Sequence, residues 1–384
     1  MTLSQSKLKD VWIYLTNGSF YQAKSFGAEG TNVGELVFNT SLTGYQEITT
    51  DPSYAGQFIC FTMPEIGIVG TNEKDMESRQ IFAKGILCRH YNDYFSNFRA
   101  NKSLGEFLKS FNAMGISGID TRKLTKTLRE QGAMMMIAST EISDKNTLKN
   151  LLESNPKIEE INYIKEVSTK IPYTHQKGKF DFNTMDYTEP KTHQKILAID
   201  FGIKRSILNQ LVNAGFNVEV IPHHFKAEAL IARYKQGEFD GIFLSNGPGD
   251  PQILQREIAE IKKLIATKIP LFAICLGHQL LSLAHGYETY KLKFGHHGGN
   301  HPVKNLLTQE IEITAQNHNY SIPESIQEIA EVTHRNLFDH TIEGVRYKNA
   351  LICSFQHHPE AGPGPLESTA LFNEFAKLLQ KAKA

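Results

Sequence analysis

The stretch Leu271-Phe272-Ala273-Ile274-Cys275-Leu276-Gly277-His278-Gln279 decides the fold. Four apolar residues suited to a buried strand run into a cysteine, and a helical pattern opens with glycine. That layout predicts a sharp strand-to-helix turn that holds a thiol out into a pocket, a nucleophile elbow. A helix N-terminus beside the sulfur favours the thiolate through its dipole and its free amides. A structural cysteine is the competing reading, because a free cysteine packs as a small hydrophobe. Far downstream, Phe355-Gln356-His357-His358-Pro359-Glu360 supplies the base that a thiol nucleophile needs. On an extended backbone, an imidazole and a carboxylate two residues apart point to the same side. The parity with Glu360 selects His358 as the base and turns His357 elsewhere. Cys275, His358 and Glu360, in that chain order, read as the triad of a thiol hydrolase.

Outward from the cysteine, the C-terminal half has an α/β rhythm. Strands are predicted over residues 195–200, 217–221, 241–245 and 270–274, with helices over 204–214, 226–234 and 253–267. Near-continuous apolar strands between amphipathic helices imply a doubly wound, mostly parallel sheet covered on both faces. In such sheets, sites collect at the carboxyl ends of strands. Residues 289–355 read as shorter strands inserted before a last helix near 366–381, whose Leu371, Phe372, Phe375, Leu378 and Leu379 share a face. Ser245-Asn246-Gly247-Pro248-Gly249-Asp250-Pro251 ends the strand before the cysteine strand. An ordinary Gly/Pro turn is the bland reading. Its glycines also allow bare amides to face a substrate. One of them, with the amide of Leu276, would make an oxyanion hole, each donor worth ~10²–10³ in rate.

The N-terminal half is written differently. Short apolar runs at 11–15, 35–39, 57–63 and 81–89 predict a β-rich α+β domain. Helices are expected over 102–111 and from Asp120, with Asp120 or Thr121 as cap and Gly132 just past the end. The organisation expected is a domain over residues 1–150, a linker region over 151–193 and a second domain over 194–384.

The 384 residues exceed one ordinary core, and 41 basic against 41 acidic residues leave no net field for nucleic acid or an anionic membrane. With 40% hydrophobic and 21% charged residues the composition is globular. The sequence holds no 18-residue apolar run and starts without an apolar signal core, so the expectation is a cytoplasmic protein. Cys60, Cys88, Cys275 and Cys353 form no CxxC pair, which fits free thiols in a reducing compartment. Gly295-His296-His297-Gly298-Gly299-Asn300-His301-Pro302 has the look of a metal motif but no companion ligand at matching spacing, so a turn and no metal are expected there. No phosphate-binding glycine motif is present.

These residues, taken with the N-terminal half, resemble the family of small, glutamine-hydrolysing subunits of carbamoyl phosphate synthetase. Residues 245–251, Cys275-Leu276-Gly277-His278-Gln279 and His358-Pro359-Glu360 alone are similar to the wider class I glutamine amidotransferases. Phe38-Asn39-Thr40-Ser41-Leu42-Thr43-Gly44-Tyr45-Gln46-Glu47, Asp51-Pro52-Ser53-Tyr54, Gly67-Ile68-Val69-Gly70-Thr71-Asn72 and Ile119-Asp120-Thr121-Arg122-Lys123-Leu124 resemble that subunit's N-terminal domain. Residues 294–303 and Thr314-Ala315-Gln316-Asn317-His318 resemble its amidotransferase domain.

The resemblance implies glutamine hydrolysis that feeds ammonia to a large synthetase subunit. That partner makes carbamoyl phosphate from bicarbonate and ATP, for arginine and pyrimidine synthesis. It implies no cofactor in this chain, ATP and Mg being used by the large subunit, and no nucleic-acid or membrane partner. By position, Cys275 is the nucleophile, His358 the base and Glu360 its partner, while Gly247 and Leu276 give the oxyanion amides. Ser53, Gly247, Gly249, Leu276, Gln279, Asn317, Asn319 and Tyr320 match glutamine-contacting positions, and Ser53 implies a site at the domain interface. Ala273, His357 and Asn319 stand where the family has glycine, and asparagine is the residue that best tolerates a positive φ at such a place. The amidotransferase parts of anthranilate and GMP synthesis lack this N-terminal domain. A non-catalytic scaffold and a free-standing cysteine hydrolase are the other readings.

Overall fold

The computed structural model describes residues 8–383. The chain divides into two compact units, Met1–Ile161 with Lys293–His297, and Asn162–Leu292 with Gly298–Ala384.

The first unit is built on a closed barrel. Its strands run around the barrel in the order Lys9–Leu15, Phe20–Ser25, Met114–Ser117, Gly85–Leu87, Gln57–Phe61, Thr31–Asn39 and Met134–Ser139. The last closes on the first through pairs such as Trp12 with Ser139. Alternate residues point inward, so Val11, Ile13, Leu15, Leu36, Phe38, Phe58, Ile116 and Met136 fill the interior. The helix Thr121–Gln131 adds Leu124 and Leu128, one turn apart, to the same core. Asp120 caps that helix by accepting from the Lys123 amide at 2.9 Å. Gly132 follows it with φ 98, a left-handed conformation suited to glycine. The other expected helix is Leu104–Ser110, fixed by a capping box between Ser103 and Glu106. Of the apolar run 81–89, only Gly85–Leu87 is strand.

Residues 151–193, expected as linker, carry defined structure. The helix Lys145–Ser154 reaches into them, and Ile164–Val167 is a further helical turn. Tyr173–His175 then joins the large sheet as an antiparallel edge, pairing Tyr173 with Val220. A strand of three residues carries too little periodicity to be read from sequence.

The second unit is organised by a ten-stranded sheet. Its order is Tyr173–His175, Phe216–Pro222, Gln194–Asp200, Gly241–Leu244, Leu271–Ile274, Ile352–Phe355, Ile342–Tyr347, Ala330–Asn336, Tyr290–Asn305 and Ile311–Ser321. The strands from Phe216–Pro222 to Ile352–Phe355 in that order are parallel. The earliest of them, Gln194–Asp200, lies between the next two in sequence, so the connections leave it on opposite sides. That reversal opens a crevice at the carboxyl ends. The remaining strands extend the sheet in antiparallel fashion.

Two expectations fail in that extension. Residues 295–302 are not a turn: they belong to the 16-residue strand Tyr290–Asn305, and Ile311–Ser321 is also long. Glycines at 295, 298 and 299 break the alternation that marks a strand, which hides its length. Two predicted helices are also subdivided: Gln255–Ile265 and Leu371–Lys383 each follow a short 3₁₀ turn.

The cysteine strand is held from behind by aromatic packing. Phe272 stacks on Phe375 of the last helix at 5.0 Å between ring centres and meets Phe372, Phe243 and Phe355 edge-on or tilted. Among the described residues, no helix is long and apolar enough to cross a membrane. Phe375 is fully buried, so Phe375→Ala is expected to lower stability by about 3–5 kcal/mol. A urea unfolding curve with its midpoint shifted to lower concentration checks this.

Candidate active site

Cys275 links the strand Leu271–Ile274 to the helix Leu276–Ala284 with φ 52 and ψ −106, an unfavourable conformation for a residue with a side chain. Two neighbours hold it there. Its amide donates to the Phe355 carbonyl at 2.8 Å, and the Gly277 amide donates to the Ser245 carbonyl at 3.0 Å. Gly277 must be glycine, since a Cβ there would sit 2.3 Å from the Leu244 carbonyl oxygen. The Cys275 Sγ contacts the Asn317 carbonyl at 3.6 Å.

His358 and Glu360 meet, though not on extended backbone as the spacing suggested. The strand ends at Phe355, and a turn closed by the Ala361 amide on the His358 carbonyl brings the two side chains together. His358 Nδ1 lies 2.6 Å from Glu360 Oε1, which leaves Nε2 for the thiol. Burial by itself would push the His358 pKa down. The charges of Glu360 and Cys275 reverse that and hold it up at about 10. Burial pushes Glu360 the other way, yet the Lys204 ammonium and His358 keep it at about 2.

Lys204 is the residue that the sequence reading missed. It is buried, and its Nζ reaches Glu360 Oε1 at 2.9 Å and the Ala361 carbonyl at 2.6 Å. A signal was present: Lys204 is the N-cap of the helix Arg205–Asn213, where a cation opposes the helix dipole. Its loop is bound to the neighbouring strand end. The Phe201 amide donates to Ser245 Oγ at 2.9 Å and the Lys204 amide to Asn246 Oδ1 at 3.2 Å. Asp200 Oδ1 accepts from the Gly202 and Ile203 amides, each at 2.8 Å.

Gly247 sits on this loop pair, and a Cβ there would lie 2.3 Å from the Phe201 carbonyl oxygen and 2.8 Å from Leu276 Cδ2. Gly249 has φ 89. Gln279 sends Nε2 to the Tyr320 carbonyl at 2.9 Å and to Gln356 Oε1 at 3.1 Å. Asn317, Asn319 and Tyr320 all lie on the strand Ile311–Ser321. Asn319 is thus in ordinary strand, outside the left-handed φ set of the described residues, and the backbone there does not call for glycine. Ala273 is fully buried mid-strand. His357 turns into the interior beside His334 and Phe355, with Nδ1 3.7 Å from Glu343 Oε2. Ser53 belongs to the first unit, where its amide donates to Asp51 Oδ1 at 2.8 Å.

The other cysteines are buried and free. Burial pushes Cys60 and Cys353 up to about 12 and raises Cys88 well above the ordinary thiol value.

Residues 13–138 match the profile of the carbamoyl-phosphate synthase small chain, CPSase domain, and residues 197–378 that of glutamine amidotransferase class-I. The carbamoyl phosphate synthase small chain of Helicobacter hepaticus is 60% identical, covering 98% of this chain and 100% of that protein. The protein of the same name from Helicobacter pylori strain J99 is 61% identical, over 96% and 99%. That of Campylobacter jejuni is 57% identical, over 96% and 99%.

A raised imidazole pKa stabilises the fold below the unfolded value of 6.5, and that contribution is lost as pH rises through about 10. Glu360→Gln removes the main attraction, so its stability is expected to fall less between pH 7 and 10. Urea unfolding of both proteins at intervals across that range, with the wild type showing the steeper loss, is the check.

Proposed function

Because the chain belongs to the carbamoyl phosphate synthase small-chain family, with its class I glutamine amidotransferase domain, we propose that Cys275, His358 and Glu360 hydrolyse glutamine and that the ammonia passes to a large synthetase chain. The observation that carries this reading is the His358–Glu360 contact of 2.6 Å at the strand ends where Cys275 is held in its left-handed turn.

The steps follow from the parts. Cys275 cedes its proton to His358 Nε2, where the raised imidazole pKa keeps it, and the thiolate attacks the side-chain amide carbon of glutamine. The amides of Gly247 and Leu276 receive the developing oxyanion; Gly247 lies close enough to the Leu276 side chain that a Cβ there would come within 2.8 Å of its Cδ2. His358 returns its proton to the departing nitrogen, leaving ammonia and a γ-glutamyl thioester. Water, deprotonated by the same imidazole, releases glutamate and restores the thiol. Glu360 holds the imidazole with Nδ1 protonated and compensates its charge, as a carboxylate does in related triads. Gly249, Gln279, Asn317, Asn319 and Tyr320 surround the glutamine. ATP, Mg and bicarbonate are handled by the large chain, so this chain uses no cofactor of its own. The barrel domain matched over residues 13–138 favours this acceptor over anthranilate or GMP synthesis.

Cys275→Ser is expected to abolish ammonia release from glutamine. Mixed with the large chain, the variant should still support carbamoyl phosphate formation from added ammonia. Undiminished glutamine hydrolysis by that variant would refute the assignment of the nucleophile.

A further inference from the structure

The steps above give Gln356 no task, although it is fully buried at the end of the strand Ile352–Phe355. Its side chain meets Gln279, which lies on the first turn of the helix after Cys275. Gln279 Nε2 donates to the Tyr320 carbonyl at 2.9 Å and to Gln356 Oε1 at 3.1 Å. A backbone carbonyl can only accept, so the Gln279 amide must turn its nitrogen toward it. Both N–H bonds are then committed, and Oε1 is the atom that Gln279 can offer to a ligand. The same chemistry orients Gln356: its Oε1 faces Gln279, and its Nε2 is buried without a hydrogen-bond partner among the described residues. A buried donor in that state opposes stability, so an apolar side chain would serve packing better. With Gln356 gone, Tyr320 alone would satisfy one of two N–H bonds, and the Gln279 amide could rotate to present a donor instead.

We propose that Gln356 is a positioning residue for substrate selection: it locks the Gln279 amide with oxygen outward, so that the pocket reads the α-ammonium group of a free amino acid. The inference rests on the reading of this pocket as the glutamine site. A deaminated analogue lacks the cation that an outward oxygen selects, and a glutamine within a peptide offers only a neutral amide there.

The test compares L-glutamine with glutaramate, the same molecule without its α-amino group, used as a competitive inhibitor. Gln356→Met keeps length but removes the acceptor. It is expected to raise KM for L-glutamine about tenfold or more, the loss of one oriented charge-assisted hydrogen bond. Its kcat and the Ki of glutaramate should stay within about twofold of wild type, because neither depends on reading the ammonium group. Gln356→Asn, which withdraws the amide by one methylene, carries the same expectation should the methionine variant not fold. An unchanged KM, or KM and Ki rising together, would overturn the role given to Gln356. A wild-type protein that releases no ammonia from glutamine would instead remove the glutamine reading and this inference with it.

Discussion

Everything in the second unit converges on a carboxylate that water does not reach. Glu360 is fully buried, and an isolated buried charge is far too costly to persist. Its Oε1 therefore takes two partners at once, the Lys204 ammonium at 2.9 Å and the His358 imidazole at 2.6 Å. Neither partner comes from the strand that runs into Cys275. Lys204 follows the strand Gln194–Asp200 and His358 follows Ile352–Phe355, so the charge cluster forms only if the sheet has its parallel order and register. Chemistry and fold are coupled through one oxygen atom.

The loops that deliver these groups are fastened to each other. Asp200 folds the segment leading to Lys204, Ser245 and Asn246 receive its amides, and the Ser245 carbonyl receives Gly277. Three strand ends are thus joined by hydrogen bonds between backbone and short polar side chains. Such groups flex little, which suits the proposed oxyanion amides of Gly247 and Leu276, which have to be in place before charge develops. Close approach is part of the same design. At Gly247 and Gly277 the backbone of a neighbour occupies the space that a side chain would need.

What the sequence revealed depended on how local each signal was. Cys275 was legible because strand, turn and helix grammar meet within nine residues, and Asp120 and Gly132 announced both ends of their helix. Boundaries in the parallel sheet were readable because strands buried on both faces are uninterrupted apolar runs. The strand through residues 295–302 was not, because its glycines and histidines break the alternation. The pairing of His358 with Glu360 was foreseen, but through extended geometry, whereas Pro359 and the Ala361–His358 bond make a turn. Lys204 and Gln356 stayed hidden for another reason. Each contacts a partner distant in sequence, Glu360 and Gln279 respectively, and no spacing rule links them.

The buried thiols have a practical consequence. Cys60 and Cys353, held near 12, and Cys88, raised well above the ordinary thiol value, exist at neutral pH almost wholly as unreactive thiols within packed cores. An electrophile added to the native protein therefore meets almost no background at these positions. With Cys275 as the proposed nucleophile, labelling reports that single thiol, and its occupancy by a competing small molecule can be read from the mass of the intact protein.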